Sequence, residues 1–457
     1  MLITFRVSNF LSFNEEEEFS MLAGKVRKPV RPAVTLATGV EALKLAVIYG
    51  ANASGKSNLI KAIDFAHKTI LRGIKSHFYV SNHFRLEKNN ESKPSKFEFE
   101  FEVNGKVYAY GFTIKLGEKR ILDEWLFELK KSSQKSIFER VVNLNGSTTM
   151  KTHPKFKGED AVRFSIYAQD VESNELLLTI LGQKDWNENS AFKMFRIIYN
   201  WFKTNLILFY PGNNIYPLDI IDLEDSEDKE FYCDLVKLFR TGINDIEFKS
   251  EDANDILEKM PEIRKNMLLE NINKGRKHKI VENGKPKYFS KNKQGQIIAS
   301  QMVTKRKLKD ENELVNFDFD DESDGTKRLF DFIPLLWLLK HPDSELTLII
   351  DEIDRSLHPE LLHKLTEYYL FTTTNVNSQL IVTTHESSLL DLSLLRRDEV
   401  WFVEKNNHGE SHIYSLEEFQ PRFDKEIRKA YLQGRYGAIP FISDVQQLNW
   451  ETANAEG

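Results

Sequence analysis

Gly50-Ala51-Asn52-Ala53-Ser54-Gly55-Lys56-Ser57 fits the spacing G-x-x-x-x-G-K-[ST], and few eight-residue stretches restrict a fold more. The preceding residues, Leu45-Ala46-Val47-Ile48-Tyr49, form a short apolar run with β-branched members and read as a buried strand. In the following residues, Asn58 to Ala66, apolar groups recur at helical spacing. A strand, a glycine-bounded loop and a helix start make a backbone cradle for phosphate. The glycines let successive N–H groups converge on one anion, and the helix adds the positive end of its dipole. Gly50, Asn52, Ala53, Ser54, Gly55, Lys56, Ser57 and Asn58 are therefore the expected nucleotide contacts. Lys56 is suited to the β- and γ-phosphates, and the Ser57 hydroxyl to Mg2+. The bland alternative is a glycine-rich turn that only starts a helix.

The chain has 457 residues, enough for one large domain or two to three smaller ones, and 41% apolar residues support a substantial core. A formal net charge of −6 excludes a uniformly basic nucleic-acid coat. A single cysteine, Cys233, excludes an internal disulfide framework and fits a reducing cytoplasm. The opening Met1 to Val7 is too short and too polar to read as a signal peptide. Leu329 to Leu339, interrupted by Asp331, falls short of the roughly 20 apolar residues that cross a bilayer. The expected location is the cytoplasm, with no membrane contact.

A phosphate-binding loop needs groups that hold the metal and activate water. Leu346-Thr347-Leu348-Ile349-Ile350-Asp351-Glu352 reads as a buried parallel strand that ends in two carboxylates, where open α/β sheets bind ligands. Asp351 is expected to hold Mg2+ together with Ser57, and Glu352 to orient or deprotonate the attacking water. The alternative is a strand ending in an acidic turn. Gln379 to His385 reads as a further strand, one predicted helix later (Pro359 to about Thr372), with His385 at its end to contact the γ-phosphate or simply to face solvent. Ser323-Asp324-Gly325-Thr326 precedes an apolar helix over Leu329 to Lys340. Either Ser323 or Asp324 caps that helix, or Ser323 and the Gly325 backbone present its N-terminus to a phosphate held by a second subunit.

The order of these pieces carries a resemblance. Ser57 and Asp351 are 294 residues apart. A long interval, a Ser-x-Gly helix start, an acidic strand and a strand-end histidine resemble the order in ABC-type ATPases. Val7-Ser8-Asn9-Phe10-Leu11-Ser12-Phe13 resembles the N-terminal strand of their SMC-like branch, and Asp351 to Pro359 resembles its acidic strand and D-loop. Phe84-Arg85-Leu86, Pro94 to Phe101 and Gly434-Arg435-Tyr436-Gly437-Ala438-Ile439-Pro440 are similar to the RloA/AbiL-type abortive-infection ATPases, relatives of the PARIS and Septu ATPases. The resemblance implies an α/β fold: an ABC/SMC-like P-loop NTPase head with an antiparallel β subdomain and an inserted helical, charged lid region. It also implies a Mg2+-dependent ATPase that closes head-to-tail around ATP. Such a pair would act as a sensor or switch in anti-phage defence, governing a separate effector. The signature reads Ser-Asp-Gly-Thr where many members have Ser-Gly-Gly-Gln. Gln169 is a candidate for the family's Q-loop residue, and a surface glutamine is the alternative.

Three segments follow. Residues 1–171 hold the P-loop and a β subdomain, in which Phe97 to Val103 and Lys106 to Phe112 flank Asn104-Gly105 as a hairpin. Residues 172–315 form the insert, and 316–457 complete the ATPase domain. Asp219 to Asp234 is acidic, whereas 264–309 holds 14 Lys/Arg against two acids. That basic stretch either contacts DNA or RNA, or forms a solvated lid whose lysines face water or the acidic run. Thr452 to Gly457 reads as a loose tail. Two other functions remain open: a DNA-stimulated repair or chromosome-associated ATPase, and a slow-turnover, ATP-clamped scaffold.

Overall fold

The apolar runs seen in the sequence become the centre of a mostly parallel sheet. The computed structural model describes residues 1–24, 33–74, 82–143, 146–152, 156–211, 226–273, 278–282, 285–292, 294–309, 313–421 and 426–439. Asp219–Asp225 of the acidic run, Pro440 and the Thr452–Gly457 tail lie outside the described residues. The chain divides into two units, one comprising residues 1–211, 343–354 and 370–457, the other 212–342 and 355–369.

In the first unit six strands run in the order Leu206–Phe209, Thr347–Ile350, Gln379–Thr383, Leu45–Tyr49, Val400–Lys405, Ser411–Ser415. The first five are parallel to their neighbours and the last is antiparallel. Thr347–Ile350, Gln379–Thr383 and Leu45–Tyr49 are buried at every position, which is why their sequences are continuous apolar runs rather than alternating ones. Ile350 pairs with Val382 and Thr383 with Ile48, so the C-terminal ends of all three strands come level. Gly50, Asp351 and Thr384 leave the sheet from one edge.

A seven-stranded antiparallel sheet completes this unit, from Thr148–Thr152 at one edge through the central Arg120–Lys130 and Lys106–Lys115 to Leu2–Ser8 and Glu17–Ser20. Ser95–Val103 and Lys106–Lys115 turn at Asn104 (φ 49°) and Gly105 (φ 67°), the positive angles that a two-residue hairpin requires. The strict alternation of Ser95–Val103 sends Phe97, Phe99 and Phe101 inward. Phe97 packs on Phe65 of the P-loop helix (Lys56–Arg72) with ring centroids 5.2 Å apart. Phe101 stacks on Trp201 at 4.2 Å. Residues 172–211 thus join this core through Trp201 and Phe202.

The second unit contains the rest of the insert, and it is not only helical. Asp245–Asp252, Ile297–Lys307, Lys285–Lys291, His278–Glu282 and Leu314–Asp318 form an antiparallel sheet. Helices Glu262–Asn273 and Ser226–Leu238 accompany it. Residues 316–342, including helix Asp324–Lys340, group here because Leu314–Asp318 pairs with Ile297–Lys307 and Tyr232 donates a 2.8 Å hydrogen bond to the Phe330 carbonyl. The composition-based division at 171/172 and 315/316 therefore falls elsewhere than this grouping.

Candidate nucleotide site

Gly50 leaves the central strand where a side chain has no room: a Cβ there would lie 2.4 Å from the Val403 carbonyl and 2.6 Å from Ser54 Oγ. Ala53 (φ 63°) and Gly55 (φ 119°) adopt left-handed backbone and bring the loop round. Asn52 and Ala53 are exposed at the tip, whereas Ser54 is buried. The loop is pinned from behind: Ser411 Oγ donates to the Ser54 carbonyl (2.6 Å) and accepts from Ser12 Oγ (2.7 Å), and Asn58 Nδ2 donates to the same Ser12 oxygen (2.8 Å). Ser12 belongs to the N-terminal strand motif, so that motif braces the P-loop. No side chain caps the helix that starts at Lys56, which suits its first turn to an anion.

Lys56 is 4% exposed, and its ammonium donates to the carbonyls of Gly50 (2.7 Å) and Ala51 (3.1 Å) and to Nδ1 of His385 (3.3 Å). Burial pushes its pKa down to about 8, against the pull of Asp351, Asp354 and Glu352. Burial, and then the neighbouring Lys56 charge, hold His385 below the ordinary histidine range. A neutral ring that accepts at Nδ1 carries its proton on Nε2.

Asp351 is 4% exposed, and its Oδ1 accepts from Ser57 Oγ (3.2 Å) and from Thr383 Oγ1 (2.6 Å). Ser57 and Asp351 therefore meet as the sequence suggests. Glu352 is half-buried in left-handed backbone (φ 51°), and its N–H donates to Thr383 Oγ1 at 2.8 Å. In the sequence Thr383 is one more β-branched residue of a buried strand, with nothing to set it apart from its neighbours but a hydroxyl two positions before His385.

The chemistry of this donor set fits a magnesium nucleotide. Among the described residues no group of three or more His, Cys, Asp or Glu side chains could hold a metal ion. Ser57 and Asp351 instead offer the one or two protein oxygens with which Mg2+ is commonly held beside phosphates and water. The glycine-tight loop and buried ammonium suit the phosphates.

Ser323 and Gly325 lie in the second unit. Ser323 is the N-cap of Asp324–Lys340: its Oγ accepts from the Thr326 N–H at 3.2 Å, and the residue is exposed. A Cβ on Gly325 would come within 3.0 Å of the Ser356 carbonyl. The preceding Glu322 is buried in a two-pronged pair with Arg306, both contacts 2.7 Å. Gln169 is exposed near the end of helix Glu159–Asp170. In the basic stretch, Lys287 pairs with Glu251 at 2.6 Å and Lys305 with Glu247 at 2.7 Å, so part of its charge faces the acidic strand Asp245–Asp252. The tail motif packs on the sheet: Tyr436 stacks on Phe402 at 6.1 Å, and its carbonyl accepts from Tyr414 OH at 2.8 Å.

Residues 45–391 match the family described as "AAA domain, putative AbiEii toxin, Type IV TA system", a span that starts with the P-loop strand and ends just past His385. Similar solved structures include an SMC head bound to the C-winged helix domain of ScpA, at 13% identity and a TM-score of 0.41, covering 92% of this chain and 99% of that one. The SMC head domain from Thermotoga maritima is 14% identical with a TM-score of 0.35, covering 91% and 98%. An Smc head with an extended coiled coil, bound to the C-terminal domain of ScpA derived from Pyrococcus furiosus, is 14% identical with a TM-score of 0.38, covering 95% and 99%. None of the curated proteins matches. Among the described residues no helix is long and apolar enough to cross a membrane.

Proposed function

Because this chain belongs to the AAA-domain family described as AbiEii-type, we propose that it binds ATP with Mg2+, hydrolyses it, and works as a nucleotide-driven dimeric switch. The supporting observation is the meeting of Lys56, Ser57, Asp351 and His385, from three distant parts of the sequence, at one edge of a parallel sheet. Ser57 and Asp351 would hold Mg2+, which would supply neutralising charge to the phosphates. Lys56 would exchange its two loop carbonyls for phosphate oxygens. Glu352 would orient or deprotonate the attacking water, and His385 would donate to the terminal phosphate. Ser323 and Gly325 of a second copy would close over that phosphate, so the closed pair gains affinity that the open form lacks. The motif resemblance supports a role in anti-phage defence, with a separate nuclease or toxin as effector, in the cytoplasm.

The test is Mg2+-dependent phosphate release from ATP by the wild type beside Glu352→Gln. The expected outcome is turnover by the wild type and loss of about a hundredfold or more in the variant, the scale of removing a positioned general base. Equal rates would assign the base elsewhere.

A further inference from the structure

We infer that Thr383 is a positioning residue that sets both carboxylates of the nucleotide site with one hydroxyl. The inference rests on the Mg2+–ATP reading above and names a residue outside it. Thr383 is fully buried at the end of the strand lying between the P-loop strand and the acidic strand. Its Oγ1 donates to Asp351 Oδ1 at 2.6 Å and accepts from the Glu352 N–H at 2.8 Å. A hydroxyl has one proton to give, and here it goes to the carboxylate expected to hold the metal. One of its lone pairs takes the next residue's backbone.

Both bonds act on groups that have other options. Asp351 Oδ1 is shared with Ser57 Oγ, so the Thr383 proton fixes how the carboxylate is turned toward that serine. Glu352 stands at φ 51°, a backbone region that side chains with a Cβ adopt at a cost, and a buried partner for its N–H holds it there. The Ile353 N–H donates to the Thr383 carbonyl at 3.0 Å, so the same residue anchors the turn at two points. Valine has nearly the same shape and no hydroxyl. It would leave the acidic strand in place while freeing both carboxylate-bearing residues to reorient.

Nucleotide affinity measured first in EDTA and then in excess Mg2+ isolates this role. The wild type and Thr383→Ser should bind more tightly once Mg2+ is added. Thr383→Val should bind within about twofold of the wild type in EDTA and lose about tenfold or more of the Mg2+-dependent gain, the scale of a lost hydrogen bond to a charged group. A full Mg2+ gain in Thr383→Val would overturn the inference, as would equally weakened binding in EDTA, which marks a merely structural residue. A wild type that binds no nucleotide, or gains nothing from Mg2+, would instead overturn the ATPase reading and this inference with it.

Discussion

Lys56 shows how the site is poised at the scale of one residue. Its ammonium is held by two loop carbonyls and a histidine nitrogen, and burial lowers its pKa from 10.5 to about 8. Between those values the unfolded chain binds more protons than the folded one, so stability without nucleotide rises as pH climbs through that window. A triphosphate beside Lys56 favours the charged form and restores the proton. ATP affinity should therefore fall as pH rises past about 8, and binding near pH 8.5 should take up a proton, read as calorimetric heats that vary with the buffer's ionisation enthalpy. Flat affinity and buffer-independent heats up to about pH 9 would contradict this. Gly50 to Ser57, Asp351, Glu352 and His385 were legible in the sequence because each sits next to the strand or helix that defines it. Thr383, Ser12 and Ser411 were not, because their roles arise from which strands become neighbours.

Among elements, the seven-stranded sheet holds the segment that follows it through a fully buried ion pair. Arg140 bonds Glu124 at 2.9 Å and donates to the carbonyls of Glu175 and Glu172, while Glu124 accepts from Tyr110 OH and from the N–H groups of Leu177 and Leu178. Arg140→Met would strand a buried carboxylate. It should cost about 3–5 kcal/mol in chemical denaturation, and adding Glu124→Gln should recover part of that loss. A loss under about 1 kcal/mol would mean that the pair is dispensable. The central strands and the hairpin at Asn104-Gly105 could be read from apolar runs and turn chemistry. The sheet in the basic stretch was harder, since charge density says nothing about strand pairing. The usable cue was Asn283-Gly284 between two lysine-bearing segments.

For the whole molecule, the family match spans residues drawn from both units, so neither unit alone contains every motif. The P-loop, Asp351, Glu352 and His385 lie in one unit, and Ser323 and Gly325 in the other. The unit boundaries were less legible because they depend on aromatic packing by Trp201 and Phe202 and on the Leu314–Asp318 pairing, neither of which shifts the composition. The proposed switch asks a second copy to complete the nucleotide's enclosure. Light scattering of Glu352→Gln with and without Mg2+–ATP tests that most directly. The account predicts that the mass doubles with Mg2+–ATP and returns to the single-chain value when nucleotide is removed; a variant that holds unhydrolysed ATP yet stays a single chain at high concentration would contradict it.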